Sequence, residues 1–308
     1  MLNTSKSIIE KVRLPIGKNE PFSFDIKRDD LIDSVISGNK WRKLKYNLLN
    51  AANRKNEGVI TFGGPFSNHL IATAKAASLA GLKSIGIVRG DELSFESNET
   101  LRSCHALGMK LVFVSRAYYR EKDEPIFINK LQSKYPNYYL VPEGGRNYYG
   151  VIGCQEILNE TTNDYNHVYL AGGTGTTGAG VLLGASENTH VNVVSALKGS
   201  FLRDEIEQLL NWALNDRDSV EAHLTRFTVH NDGHFGGYAK VSSELLKFIN
   251  EVYHTIHLKL DPIYTGKAMY QLVLDFRNGL IDPEDKVLFI HTGGLQGALS
   301  WKGVLAYL

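Results

Sequence analysis

Apolar and polar positions alternate along the chain in blocks of two kinds. Residues 22–27, Phe-Ser-Phe-Asp-Ile-Lys, place apolar side chains at every second position, the period of a half-buried strand. From Lys40 the period lengthens: Trp41, Leu44, Tyr46, Leu48 and Leu49 recur at roughly helical spacing, so a helix runs on from Lys40. Beyond Gly58 the punctuation becomes regular. A strand at 59–62 leads through Gly63-Gly64-Pro65-Phe66 into an alanine-rich helix that Ser67-Asn68-His69 opens and that reaches about Ala80. Strand 84–88 with helix 97–107 and strand 110–114 with helix 124–134 follow, closed by strand 138–141 and Gly144-Gly145. The second half repeats the alternation with strand 168–171, a glycine- and threonine-rich loop at 172–178, a helix from Ala179 to Gly184, strand 191–194, helix 203–213, strand 227–229, helix 242–254 and strand 287–290. The tail after Gly294 reads as a last helix. Strands and helices in alternation, joined by short glycine-rich turns, predict right-handed crossovers and an α/β fold with parallel strands. Two such sheets are expected rather than one very wide one.

Composition narrows the function. Thirty-four Lys and Arg against 33 Asp and Glu leave a net charge of +1 over 308 residues, which calls for neither nucleic acid nor an anionic membrane. No apolar stretch approaches signal-peptide or bilayer-spanning length, so a cytoplasmic protein is expected. Cys104 and Cys154 lack a C-x-x-C spacing and are expected to be reduced thiols. His230 and His234 have the spacing of metal ligands on a helix, but Gly233, Gly236 and Gly237 argue for a loop, so no metal site is expected.

Candidate chemistry gathers at two places. Lys40 follows Ser37-Gly38-Asn39 and opens a helix, an arrangement that anchors its backbone and lets its amine point into a cleft. With Arg42, Lys43 and Lys45 behind it, the same lysine could equally be one more cation on a solvated face. The loop at 172–178 contains G-x-G-x-x-G at Gly173, Gly175 and Gly178, yet no acidic residue closes the next strand and no Gly-Lys-Ser/Thr follows. A single-phosphate cradle at a helix N-terminus, or a glycine-rich turn without a ligand, remains. A phosphate cradle and a turn-anchored amine together suggest pyridoxal phosphate.

Five motifs in order, Ser-Gly-Asn-Lys-x-Arg-Lys-Leu at 37–44, Ser67-Asn68-His69, Gly-Thr-Gly-Thr-Thr at 173–177, Asp-Pro-Ile-Tyr-Thr-Gly-Lys-Ala-Met at 261–269 and Phe-Ile-His-Thr-Gly-Gly at 289–294, resemble the D-cysteine desulfhydrase and 1-aminocyclopropane-1-carboxylate (ACC) deaminase family. The resemblance runs from about residue 14 to the end and is weakest between 200 and 230. It implies a fold-type II pyridoxal-phosphate enzyme similar to the tryptophan synthase β subunit, with two three-layer parallel-sheet domains. Residues 1–48 and 150–308 would form the larger, cofactor-binding domain, and residues 49–149 a smaller inserted one. Lys40 would hold the cofactor as a Schiff base and move the substrate's α-proton. Asn68 would bond the ring hydroxyl, while Ser67 and the amides near Asn68 and His69 would hold the substrate carboxylate. Thr174, Gly175, Thr176 and Thr177 would hold the phosphate. Tyr264 matches one active-site tyrosine and Tyr238 a second, which would meet substrate; core packing is the alternative for both.

Thr265 falls where the resemblance places the partner of the ring nitrogen. ACC deaminases carry a glutamate there and a glutamine after the Ser-Asn pair, whereas this chain has Thr265 and His69, as the desulfhydrases do. A neutral hydroxyl makes the ring a weaker electron sink, which suffices to expel a thiolate by β-elimination. The resemblance therefore implies conversion of D-cysteine to pyruvate, ammonia and hydrogen sulfide by a homodimer. ACC deamination to 2-oxobutyrate is one alternative, and a non-catalytic amino-acid-binding scaffold is another. The turn Gly-Gly-Pro-Phe before Ser67 departs from the desulfhydrase pattern beside the substrate.

Overall fold

The structure is a computed structural model that describes residues 2–15, 21–161, 164–237, 239–295, 298 and 301–308. In chain order, the described residues form β1 (Ile9–Leu14), β2 (Phe22–Lys27), α1 (Asn39–Asn53), β3 (Gly58–Gly63), α2 (Asn68–Leu79), β4 (Lys83–Arg89), α3 (Glu99–Ala106), β5 (Met109–Val114), α4 (Arg116–Arg120), α5 (Pro125–Lys134) and β6 (Tyr138–Leu140). They continue as α6 (Tyr148–Asn159), β7 (His167–Gly172), α7 (Thr176–Gly184), β8 (His190–Ser195), α8 (Phe201–Leu214), α9 (Arg217–Leu224), β9 (Phe227–His230), α10 (Ser243–Ile256), α11 (Thr265–Arg277) and β10 (Val287–Ile290).

Two sheets result, as the alternation predicts. One has the order β1-β2-β10-β7-β8-β9, the other β5-β4-β3-β6. Every pairing is parallel except β1 with β2, where Ile9 lies opposite Lys27 and Leu14 opposite Phe22. The periodicity misses β1. Its charged Glu10, Lys11 and Arg13 surround the two buried side chains, Val12 and Leu14, as befits an edge strand that meets water. Sequence reading also misses α4, α9 and α11. The tail expected as a last helix lies partly outside the described residues, and Trp301 to Leu308 form turns.

Helix α1 is placed by contacts on both its faces. Trp41, Leu44 and Leu48 pack with Val59 of β3 and Ala72 and Ala76 of α2. On the other face, small residues let helices approach: a Cβ on Gly153 of α6 would lie 1.9 Å from the Arg42 carbonyl oxygen, and one on Gly180 of α7 would lie 2.4 Å from Cys154 Cβ. A buried ion network locks this stack. Arg42, fully buried, donates to Asp29 at 2.9 Å and 3.1 Å and to Glu160 at 2.6 Å and 2.8 Å, and Lys27 reaches Glu160 at 3.0 Å. Burial alone would raise the Glu160 carboxyl, but its bonds to Arg42 and Lys27 bring it down to about 2.

Because a carbonyl oxygen of α1 occupies the space a methyl would need, Gly153→Ala is expected to push α1 and α6 apart. Overpacking of this kind costs about 1–3 kcal/mol. A lowered midpoint of thermal unfolding checks it, and an unchanged midpoint refutes the packing account.

Candidate active site

The carboxyl ends of parallel strands are where α/β sheets bind ligands, and here the segments after β7 and β10 meet the start of α1. Gly38 caps α1 with φ +63°, a left-handed conformation that favours glycine. A Cβ there would lie 2.0 Å from the Thr292 carbonyl oxygen, just past β10. That same oxygen accepts from the Asn39 amide at 3.2 Å, and Ser37 Oγ accepts from the Gly294 amide at 3.1 Å. Lys40 is thereby held in the first turn of α1. Its Nζ donates to Asn39 Oδ1 at 2.7 Å, and Asn39 Nδ2 donates to Thr177 Oγ1 at 2.8 Å. One amide side chain connects the amine to the glycine- and threonine-rich loop.

That loop ends sooner than its composition predicts. Gly175, φ +76°, caps α7, so Thr176 and Thr177 form the first helical turn and are buried. No side chain caps this terminus, and its first amides have no acceptor within the helix. Thr174 Oγ1 stands 3.3 Å from Thr176 Oγ1. A Cβ on Gly173 would meet the ring of Tyr264 at 3.4 Å, which sets that ring against the loop.

Ser67 caps α2, its Oγ accepting from the His69 amide at 3.2 Å and the Leu70 amide at 3.3 Å. Asn68 Nδ2 donates to the Gly294 carbonyl at 3.4 Å, which brings the second sheet's helix to the segment after β10. The His69 ring turns inward instead. It is 4% exposed, its Nε2 pairs with Thr61 Oγ1 at 2.8 Å, and burial, with the charges of Lys40 and Lys43, pushes its pKa down to about 3. Thr265 is buried in a tight cluster with Asp261. Its hydroxyl donates to Asp261 Oδ2 at 2.7 Å and accepts from the Asp261 amide at 2.9 Å. The Asp261 carboxylate accepts further from the amides of Ile263, Tyr264 and Thr265. Tyr238 lies outside the described residues.

Electrostatics identify a residue that the sequence reading left on a solvated face. Lys43 sits three positions after Lys40, one turn along the same face, and is 5% exposed. Among the described residues neither ammonium has a carboxylate within 4 Å. Burial, then the charge of Lys43, pulls Lys40 down to about 7, against the opposing pull of Asp261 and Cys154; burial likewise lowers Lys43. Cys154 cannot neutralise them, since burial pushes its thiol up to about 11. Two amines in the first turns of α1 without a carboxylate partner, one of them connected through Asn39 to the uncapped start of α7, make a site deficient in negative charge. The signal for Lys43 was its i+3 spacing from Lys40, obscured by the run of cations around it.

The chain matches, over residues 14–293, the family described as pyridoxal-phosphate dependent enzyme, and it belongs to that family. A Thermotoga maritima protein provisionally named as a 1-aminocyclopropane-1-carboxylate deaminase is 34% identical over 90% of each chain. An Arabidopsis thaliana protein named as a mitochondrial bifunctional D-cysteine desulfhydrase/1-aminocyclopropane-1-carboxylate deaminase is 31% identical over 88% of this chain and 72% of its own. A crystal structure described as an ACC deaminase homologue superposes with a TM-score of 0.80 at 28% identity, over 100% of this chain and 95% of the other. The fold is thus that of the fold-type II pyridoxal-phosphate enzymes. The donor set fits the cofactor on its own terms: an amine about half unprotonated near pH 7 suits an aldehyde, and a buried Lys43 without a carboxylate, together with a helix start that no side chain caps, suits a phosphate. Among the described residues, no helix is long and apolar enough to cross a membrane.

A depressed Lys40 makes its amine nucleophilic at neutral pH in the cofactor-free protein. Modification of Lys40 by an acylating reagent, followed by mass spectrometry, is expected to reach half its maximal rate near pH 7. Lys43→Met removes a repelling charge, so this midpoint should move upward. A wild-type midpoint near 10 refutes the assignment.

Proposed function

We propose that this protein is a pyridoxal-phosphate lyase that eliminates the β-substituent of a small amino acid, D-cysteine being the substrate in view, with pyruvate, ammonia and hydrogen sulfide as products. One observation carries the reading: the Lys40 amine, about 7 in pKa, is tied through Asn39 to the loop that opens α7. Cofactor binding falls to residues 1–48 and 150–308, and residues 49–149 contribute Ser67 and Asn68. The family resemblance supports a homodimer, and the absence of a membrane-spanning helix among the described residues is compatible with a cytoplasmic enzyme.

The residues divide the work. Lys40 would hold the cofactor, and its amine is the base that would take the α-proton of the substrate. Pyridoxal phosphate, when bound, supplies the sink for the electron pair that this proton leaves behind. The amides of α7, the hydroxyls of Thr174, Thr176 and Thr177 and the ammonium of Lys43 hold the phosphate. Both lone pairs of Ser67 Oγ are occupied by amides, so its proton is left to donate to the substrate carboxylate. Asn68 holds the ring hydroxyl, and Tyr264 lines the pocket against Gly173. His69 contributes its backbone rather than its ring, which is committed to Thr61.

A second reading, ACC deamination, is favoured by Asp261. A weak sink requires Thr265 to be a neutral hydroxyl without a charged partner, and that hydroxyl is bonded to a buried carboxylate. The names of the Thermotoga and Arabidopsis relatives support this reading too.

The test is the 2-oxo acid released from D-cysteine, L-cysteine and ACC by cofactor-loaded protein. Pyruvate from D-cysteine is the expected result, and 2-oxobutyrate from ACC alone would replace the first reading by the second. Lys40→Ala should lose the visible absorption of the covalently held cofactor and slow turnover by about a thousandfold or more; a variant that kept both would remove the site from Lys40. Separately, Lys43→Met should weaken affinity for pyridoxal phosphate while leaving that for unphosphorylated pyridoxal nearly unchanged. Equal losses for both would place Lys43 away from the phosphate.

A further inference from the structure

Lys267 is a buried cation with no part in the reaction described above. It lies in the first turn of α11, three residues after Tyr264, where the helix dipole disfavours positive charge. Its residue is 1% exposed, and among the described residues no carboxylate comes within 4 Å of it. Burial draws its pKa down to about 8, with Asp261 pulling the other way from a distance.

What holds the ammonium is backbone. Its Nζ donates to the carbonyl of His234 at 2.8 Å and to that of Gly237 at 3.0 Å. These carbonyls bracket a loop after β9 in which Phe235 (φ 50°), Gly236 (φ 94°) and Gly237 (φ 125°) all have left-handed backbone. Phe235 is strained there, since side chains with a Cβ rarely adopt that region. Among the described residues the other hydrogen bonds of the loop are Gly237 N to His234 O, Gly236 N to His234 Nδ1 and Lys240 N to Gly237 O, and the Phe235 ring packs edge-on against Tyr270 of α11 with centroids 5.1 Å apart. Like the segments after β7 and β10, it leaves a carboxyl end of the sheet, and a Cβ at Gly237 would lie 3.7 Å from Lys198, beyond β8.

We propose that Lys267 is a positioning residue that fastens the loop from His234 to Gly237 to the turn of α11 bearing Tyr264, fixing one wall of the substrate pocket. A hydrophobic side chain would sit in this position without the charge and without the loop. The ammonium is retained because three donors on one flexible stem can join two carbonyls that face it from different residues. The assignment of this wall to the substrate rests on the function proposed above; the fastening itself does not.

Lys267→Met in the cofactor-loaded protein separates the two. Hydrogen exchange at the amides of Gly236, Gly237 and Lys240 is expected to quicken by about tenfold or more, while exchange in α11 and the unfolding midpoint hold or improve, because a buried charge has gone. KM for the amino acid that is turned over should rise several-fold with kcat and the visible cofactor band little altered. Lys267→Gln, which keeps donors on a shorter stem, should fall between. Unchanged exchange at the three amides overturns the proposal, as does an exchange increase spread evenly over α11, or the failure of both variants to fold, which would make Lys267 a core residue. If no amino acid is turned over, the proposed function falls, and the exchange result still decides the fastening.

Discussion

The pocket depends on one close backbone crossing. Gly38 and the Thr292 carbonyl are so near that no side chain fits between them, and the oxygen that excludes a Cβ also receives the Asn39 amide. Segments about 250 residues apart in the chain are thus joined by main chain rather than by side-chain packing. Lys40 follows two residues later, so the position of its amine is inherited from the crossing with only the lysine's own rotamers left free. Ser37 Oγ and Gly294 repeat the contact on one side, and Asn68 reaches the Gly294 carbonyl from the other sheet. The two sheets therefore meet the lysine through the same short segment after β10.

Charge placement follows from how α1 is buried. One face carries Arg42 into a network with Asp29, Glu160 and Lys27 of β2, where every cation has a carboxylate. Another carries Lys40 and Lys43, which have none within 4 Å among the described residues. A single helix thus presents compensated charge toward the core and uncompensated charge toward the cleft. The first arrangement fixes the helix; the second leaves a site where an anion is stabilised and where Lys40 loses its proton readily.

The sequence displays much of this architecture because the central strands are apolar but for Thr61 and Asn192. Residues 59–62, 168–171, 191–194 and 287–290 are buried on both faces, so they stand out from the amphipathic helices between them. Elements that carry mixed signals are lost. β1 hides among charges, α9 buries only Val220, and α11 opens with Gly266, which packs under Ile249 at the expense of helix propensity. The start of α7 reads as loop because Gly175 and the threonines after it favour turns locally, whereas the cap conformation of Gly175 starts the helix at once. In the site, Lys40 is legible from its turn, but Lys43 is not, since composition cannot say which cation of a run faces inward. The direction of the His69 ring is not legible either: beside Ser67 and Asn68 in sequence, it points at Thr61 of β3.

Hydroxyl polarity is the part of the site that only coordinates supply, and it decides how the chemistry is read. A hydroxyl has one proton and two lone pairs. At Ser67 two amides take the lone pairs, which leaves a donor. At Thr265 Asp261 takes the proton and gives an amide to one lone pair, which leaves an acceptor. Side chains of similar chemistry are thereby given opposite roles by the backbone around them. An acceptor backed by a carboxylate favours a protonated ring nitrogen wherever the two meet, so a threonine in this setting resembles the glutamate of the ACC deaminases more than its neutral side chain suggests. Discrimination between D-cysteine and ACC then cannot rest on Thr265 alone. Under the proposed function it would pass to the groups next to Ser67, the exposed Phe66 and the Gly63-Gly64-Pro65 turn.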